Sequence, residues 1–227
     1  MVIASPHNLR LRKHIGVVLS EYSSGAVSNH GHELAVRATC DKPLAMAIVD
    51  EAEECGSPVV GANYGAAPGP ASDLPMDWGT LIPLSFFLRE KKERKRIVIV
   101  TPARDIGLEE CFRFGRAVAA VAERMRKRVA FVASADQAHA HLKSGPYGFS
   151  AQASRYDESV VEAVTTNNLR AILDLPRRLV DAAKPDSLWQ MAMLAGVLDV
   201  VPMKSQLISY QVPTYYGMLC AGYVRES

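Results

Sequence analysis

Two short apolar runs, Arg96–Val100 (RIVIV) and Arg128–Ala133 (RVAFVA), flank one long amphipathic pattern, Leu108–Met125. Runs that are apolar at successive positions fit strands buried on both faces of a sheet, not strands with one face in water. A strand, a helix and a strand in that order form a crossover unit whose strands run parallel. The chain is therefore expected to be an α/β protein with a mostly parallel or mixed central sheet flanked by helices.

The remaining segments fit that class. Met1–Ala4 (MVIA) is apolar from its first residue and reads as a buried strand with no polar lead-in, so an N-terminal strand-helix unit is expected to be missing before it. His14–Leu19 (HIGVVL) reads as a second strand, and Glu21–His32 as a polar loop containing Gly and Ser. Asp41 is placed to cap a helix with Pro43 in its first turn and Leu44, Ile48 and Ala52 on one face as far as Gly56. Pro58–Gly61 is a short strand, and Ala62–Pro75 is too rich in Gly, Ala and Pro for regular structure; loops of that length are functional or mobile. Asp77–Phe87 shows helical spacing of Leu81, Leu84 and Leu88, with Pro83 expected to kink it or to lie near its start.

Arg89–Arg96 (REKKERKR) interleaves glutamates with basic residues, the pattern of a solvated connector rather than a nucleic-acid patch. After the polar stretch Ala135–Phe149 come helical patterns at Ser154–Val164, Asn168–Ala182 and Ser187–Leu198. Gln206–Gln211 and Tyr216–Val224 alternate around Pro213 like a C-terminal antiparallel strand pair. No repeat or low-complexity linker divides the 227 residues, so one domain over 1–227 is expected.

Charge narrows the function classes. With 26 Lys and Arg against 24 Asp and Glu, the formal net charge is +2, which excludes a mainly electrostatic binder of nucleic acid or membrane surfaces. No stretch approaches the ~18 consecutive apolar residues of a membrane helix, and no leader pattern opens the chain; a cytoplasmic protein is expected. Cys40, Cys55, Cys111 and Cys220 lack C-x-x-C spacing and read as reduced thiols. The apolar C-terminal strand pair leaves an edge that a second copy could cover, so a homo-oligomer stays open.

In an α/β sheet, ligands gather at the carboxyl ends of strands. Two histidines stand there: His7 follows MVIAS, and His139 follows RVAFVAS. A neutral imidazole can ligate a metal or move a proton near pH 7, so the pair can be argued into one site; each alone reads as a loop histidine with an ordinary hydrogen bond. His30 and His32 (H-G-H) have metal-compatible spacing without a third ligand, and read as a surface loop. Asp186, ahead of the apolar run Leu188–Leu198, is a helix N-cap or, at a pocket rim, a metal ligand. Walker A, G-x-G-x-x-G and G-x-S-x-G patterns are absent, so nucleotide binding and nucleophile-elbow hydrolysis lack their usual signatures.

The segments Ser5-Pro6-His7, Asp77–Leu84 (DWGTLIPL), Ser134–His139 (SADQAH), Pro146–Phe149 (PYGF) and Tyr156-Asp157 stand in the order found in class III extradiol ring-cleavage dioxygenases. The chain resembles that family, whose members include protocatechuate 4,5-dioxygenase and DOPA dioxygenase with the Memo proteins as relatives, from His7 to about Gly196. The resemblance implies an oxidoreductase that opens a small aromatic diol with O2 at a non-haem Fe(II), with zinc or no metal as alternatives. It implies that His7 is a metal histidine, that His139 is the acid/base acting on the substrate hydroxyl, and that Asp77 shapes the site. Asp186 stands where relatives carry a Glu or His as the third ligand, and Trp78 where they often carry His. The family's first metal histidine lies on a strand that precedes the one carrying His7, so this sequence starts too late to include it. Two readings follow: an extradiol dioxygenase, favoured by a full set of two histidines and one carboxylate, and a Memo-like binder of metal, small molecule or peptide, favoured by His7 alone. A metal-dependent hydrolase is a weaker third.

Overall fold

A computed structural model describes residues 1–29, 31–87 and 95–225. Its centre is a five-stranded sheet in the order β5-β2-β7-β1-β8, made of β1 (Val2–Ala4), β2 (Ile15–Val18), β5 (Val59–Ala62), β7 (Val98–Pro102) and β8 (Phe131–Ala133). β1 pairs in parallel with β7 and with β8, and β2 pairs in parallel with β5, whereas β2 meets β7 antiparallel. The sheet is thus mixed, and the crossover from β7 to β8 places β1 between them.

Alternation along the strands sends side chains to two cores. Val2, Ala4, Ile15, Val17, Val98 and Val100 face α1 (Lys42–Glu54), α3 (Leu108–Arg124) and α6 (Leu188–Val200). Ile3, Val18 and Ile99 face the other way, toward Leu81 and Leu84 of α2 (Trp78–Phe87). A third core joins α4 (Gln152–Thr165), a 3-10 turn (Leu169–Asp174), α5 (Arg177–Ala183) and α6 to the antiparallel pair β9 (Lys204–Gln211) and β10 (Met218–Val224).

Four expectations change, the first being that Ala62–Pro75, expected to be irregular, ends in a short strand at Asp73–Pro75. Glu21–His32, expected as a loop, holds β3 (Tyr22–Asn29), which pairs residue for residue with β4 (His32–Thr39) and in parallel with β6 (Asp73–Pro75). The strand is polar because few of its side chains reach the core; Ser23 instead donates to Leu74 O (2.9 Å). His30 and the side chain of His32 lie outside the described residues, as do Leu88 of the expected helical spacing and residues 89–94 of the charged connector. The single helix expected over Asn168–Ala182 breaks at Pro176, which disfavours helical backbone at Leu175 (ψ 132°). β8, expected to be buried on both faces, is an edge strand and only half-buried. The cap of α1 holds as expected: Asp41 accepts from Leu44 N (3.3 Å). All four cysteines are free.

α6 reaches its place because α3 and α6 cross at Gly115 and Gly196. A β-carbon at Gly196 would collide with the Phe112 carbonyl, and one at Gly115 with the Met193 carbonyl. Gly196→Val is expected to lower unfolding stability by about 2–3 kcal/mol, because backbone cannot yield as a side chain does. Chemical denaturation measures this, and a loss below about 0.5 kcal/mol would contradict so close a crossing.

Candidate active site

β1 ends at Ala4, and Ser5 N continues its ladder to Val100 O (3.0 Å). Ser5 Oγ then donates to Asp77 Oδ1 (2.7 Å) and accepts from His7 N (3.3 Å). Asp77 caps α2: Oδ1 also accepts from Thr80 N (3.0 Å), and Oδ2 accepts from Thr80 Oγ1 (2.8 Å) and Asn8 Nδ2 (3.2 Å). Four donors on one carboxylate hold the His7 turn against the start of α2. Gly79 is required there, since a β-carbon would lie 2.7 Å from Ser5 Oγ and 2.9 Å from Asp77 Oδ1. The His7 ring rests on Trp78 with centroids 4.5 Å apart, and its Nε2 is buried without a hydrogen-bond partner among the described residues.

The same helix is tied to β8. Pro83 lies inside α2 and has no N–H for the carbonyl four residues earlier, that of Gly79. That carbonyl accepts instead from Ser134 Oγ (2.6 Å), the residue just past β8. The spacing of Gly79 and Pro83 therefore joins the carboxyl ends of β1 and β8, where the two histidines emerge.

His139 is buried, at 6% exposure. Its main-chain N donates to Ala183 O (3.0 Å) and its Nδ1–H to Lys184 O (2.8 Å), so the end of α5 fixes both backbone and ring. Lys184 takes a left-handed conformation (φ 57°) as it ends that helix. The second ring nitrogen, Nε2, stands 3.5 Å from Asp136 Oδ2. Burial, the largest single influence, disfavours the imidazolium, but the hydrogen bonds to Asp136 and Lys184 and the charges of Asp186 and Asp136 outweigh it and lift the pKa above its ordinary value. Three tyrosines wall the ring: Tyr147, Tyr215 and Tyr216, with centroids 5.3, 5.8 and 6.1 Å from it.

Asp186 lies at the same edge, its N donating to Asp136 O (3.3 Å). Its carboxylate is ion-paired with Arg104, two residues past β7, and that guanidinium sits over Trp189. Asp186 does not cap α6 as expected. Ser187 holds that position, and its hydroxyl donates to Gln137 Oε1 (2.8 Å) while accepting from Tyr156 OH (2.9 Å). Among the described residues, no group of three or more His, Cys, Asp and Glu side chains is arranged to hold a metal.

His7, His139, Asp77 and Asp186 thus all stand at the carboxyl edge of β1, β7 and β8. Sequence reading gives no role to Arg104, Asp136, Tyr215 or Tyr216. The Tyr215-Tyr216-Gly217 run after Pro213 is the available signal, hidden because its alternation also fits the start of a strand.

The chain resembles known proteins over most of its length. A curated relative, Protein CA_C1420 of Clostridium acetobutylicum, is 24% identical over 213 residues, covering 93% of this chain; the chain spans 45% of that protein's length. The crystal structure of the uncharacterized protein JW3007 from Escherichia coli K12 superposes with a TM-score of 0.60 and 18% identity, over 98% of this chain and 84% of that one, a likeness of fold. The model of the catalytic LigB subunit of aromatic ring-opening dioxygenase matches residues 2–220. The chain belongs to the LigB family of aromatic ring-opening dioxygenase subunits.

Proposed function

We propose that the cleft at the carboxyl edge of β1 and β8 binds a small aromatic diol, and that the reaction is extradiol ring opening with O2. The observation that carries this reading is His139: a buried imidazole with a fixed tautomer, set between Asp136 and the Lys184 carbonyl and walled by three tyrosines. Aromatic rings stack favourably on such a wall at the spacings found here. With Nδ1–H committed to Lys184, Nε2 is the atom that exchanges a proton with a phenolic hydroxyl, and Asp136 stabilises the imidazolium that results.

Members of the family use a non-haem metal. His7 Nε2, buried and unpartnered, is the donor atom here that suits one, and Fe(II) is the ion this family chemistry favours. Of the other candidates, Asp77 is saturated by four donors, and Asp186 would have to release Arg104 to serve beside His7 as a ligand. The pairing of Asp186 with Arg104 favours a second reading, in which the same cleft binds an aromatic ligand without cleaving it.

Metal content and O2 uptake separate the two. Protein purified anaerobically, loaded with Fe(II) and given a panel of catechols is expected to consume O2, and His139→Ala is expected to abolish uptake while keeping the unfolding transition. Diol binding without O2 uptake establishes the binder, and full turnover in His139→Ala removes His139 from the chemistry.

Proton transfer fixes a pH dependence. As a base, His139 must start deprotonated, so kcat/KM is expected to rise through a pKa above the ordinary 6.5, and Asp136→Asn is expected to move that pKa down. The same shift acts on stability. Because the folded pKa is raised, protonated His139 stabilises the fold fully below its unfolded pKa, and that contribution is lost as pH rises through the folded pKa. His139→Ala is expected to remove this segment of the stability-pH curve, and an unchanged curve would contradict the raised pKa.

A further inference from the structure

The segment that carries His139 and the segment that carries two of its tyrosines are bonded to each other. Gln137 N donates to Gly217 O (2.9 Å), Gly217 N to Ala138 O (2.9 Å), and His141 N to Tyr215 O (3.2 Å). The His139 segment and the end of β9, which leads into Tyr215, then converge on one carboxylate beneath them, that of Asp157 on α4. Its Oδ1 accepts from Ala138 N (2.9 Å), and its Oδ2 accepts from His141 Nε2–H (2.8 Å) and from Tyr210 OH (2.6 Å) at the end of β9. Asp157 is 1% exposed, so each donor depends on it for an acceptor that water cannot replace. Gly217 lies so close above it that a β-carbon would collide with Asp157 Oδ2.

We propose that Asp157 is a positioning residue for the aromatic site: it sets the spacing between His139 and the Tyr215–Tyr216 wall, and with it the width of the slot for a planar ring. The inference rests on the reading that an aromatic ring binds against His139. Asp157 touches no substrate; it acts through Ala138 and His141 on one side, and through Tyr210 and Gly217 on the other. A carboxylate is suited to this task because its two oxygens accept three donors at once, whereas an amide offers one acceptor oxygen and retains only part of the set.

Two measurements on the intact chain test this. Amide hydrogen exchange of the free protein is expected to quicken in 137–141 and 215–217 together in Asp157→Ala, with β1 and β7 unchanged. The affinity for 4-nitrocatechol, titrated by absorbance where the variant is fully folded, is expected to fall about tenfold, with Asp157→Asn recovering part of the loss. Should Asp157→Ala fail to fold, Tyr210→Phe removes one donor and leaves the ring in place, and an affinity loss of about threefold is expected. Exchange that quickens in only one segment, or probe affinity unchanged in folded Asp157→Ala, overturns the proposal. Exchange that quickens in both segments of Asp157→Ala while the wild type ignores the probe overturns the proposed function and leaves the clamp between the two segments standing.

Discussion

β1 is buried on both faces and paired on both sides, and the site depends on that confinement. Val2, Ile3 and Ala4 are fully buried between β7 and β8, so no polar side chain can be placed along the strand without losing its hydration. The chain can become polar only beyond Ala4. There the continuing ladder, Ser5 N to Val100 O and Ser134 N to Ala4 O, keeps the ends of β1, β7 and β8 in register. His7, Arg104 and His139 emerge from those three ends in turn.

Polar bonds then fix what emerges. Asp77 gathers Ser5, Asn8 and Thr80 around the His7 turn, and Pro83 leaves the Gly79 carbonyl free for Ser134. On the far side, α6 crosses α3 at two glycines and brings Ser187 beneath Gln137, while the end of α5 grips His139 by ring and main chain. His139 is therefore held from two directions. Asp186 gives its charge to Arg104.

Much of this was legible from residues alone. The crossover from β7 through α3 to β8, the cap at Asp41 and the emergence of His7 and His139 at strand ends follow from apolar runs and from the polar residues that stop them. What escaped depended on contacts distant in sequence. The polar strand β3 gains its order from pairing with β4 and β6, to which its own composition gives no clue. The half-buried state of β8 depends on strand order, which an apolar run does not encode. Tyr215 and Tyr216 reach His139 only because the C-terminal strand pair folds back over α4, some seventy residues along the chain. The charge pairing of Asp186 with Arg104 likewise joins residues 82 positions apart.

The most direct test of the account is a crystal structure of the protein soaked with an aromatic diol, read for where the ring lies. The account predicts the ring against the Tyr147, Tyr215 and Tyr216 wall with one hydroxyl within hydrogen-bond distance of His139 Nε2. A diol bound elsewhere, for example in the groove between α4 and α5 lined by Arg155 and Arg178, with the His139 slot empty, would contradict it.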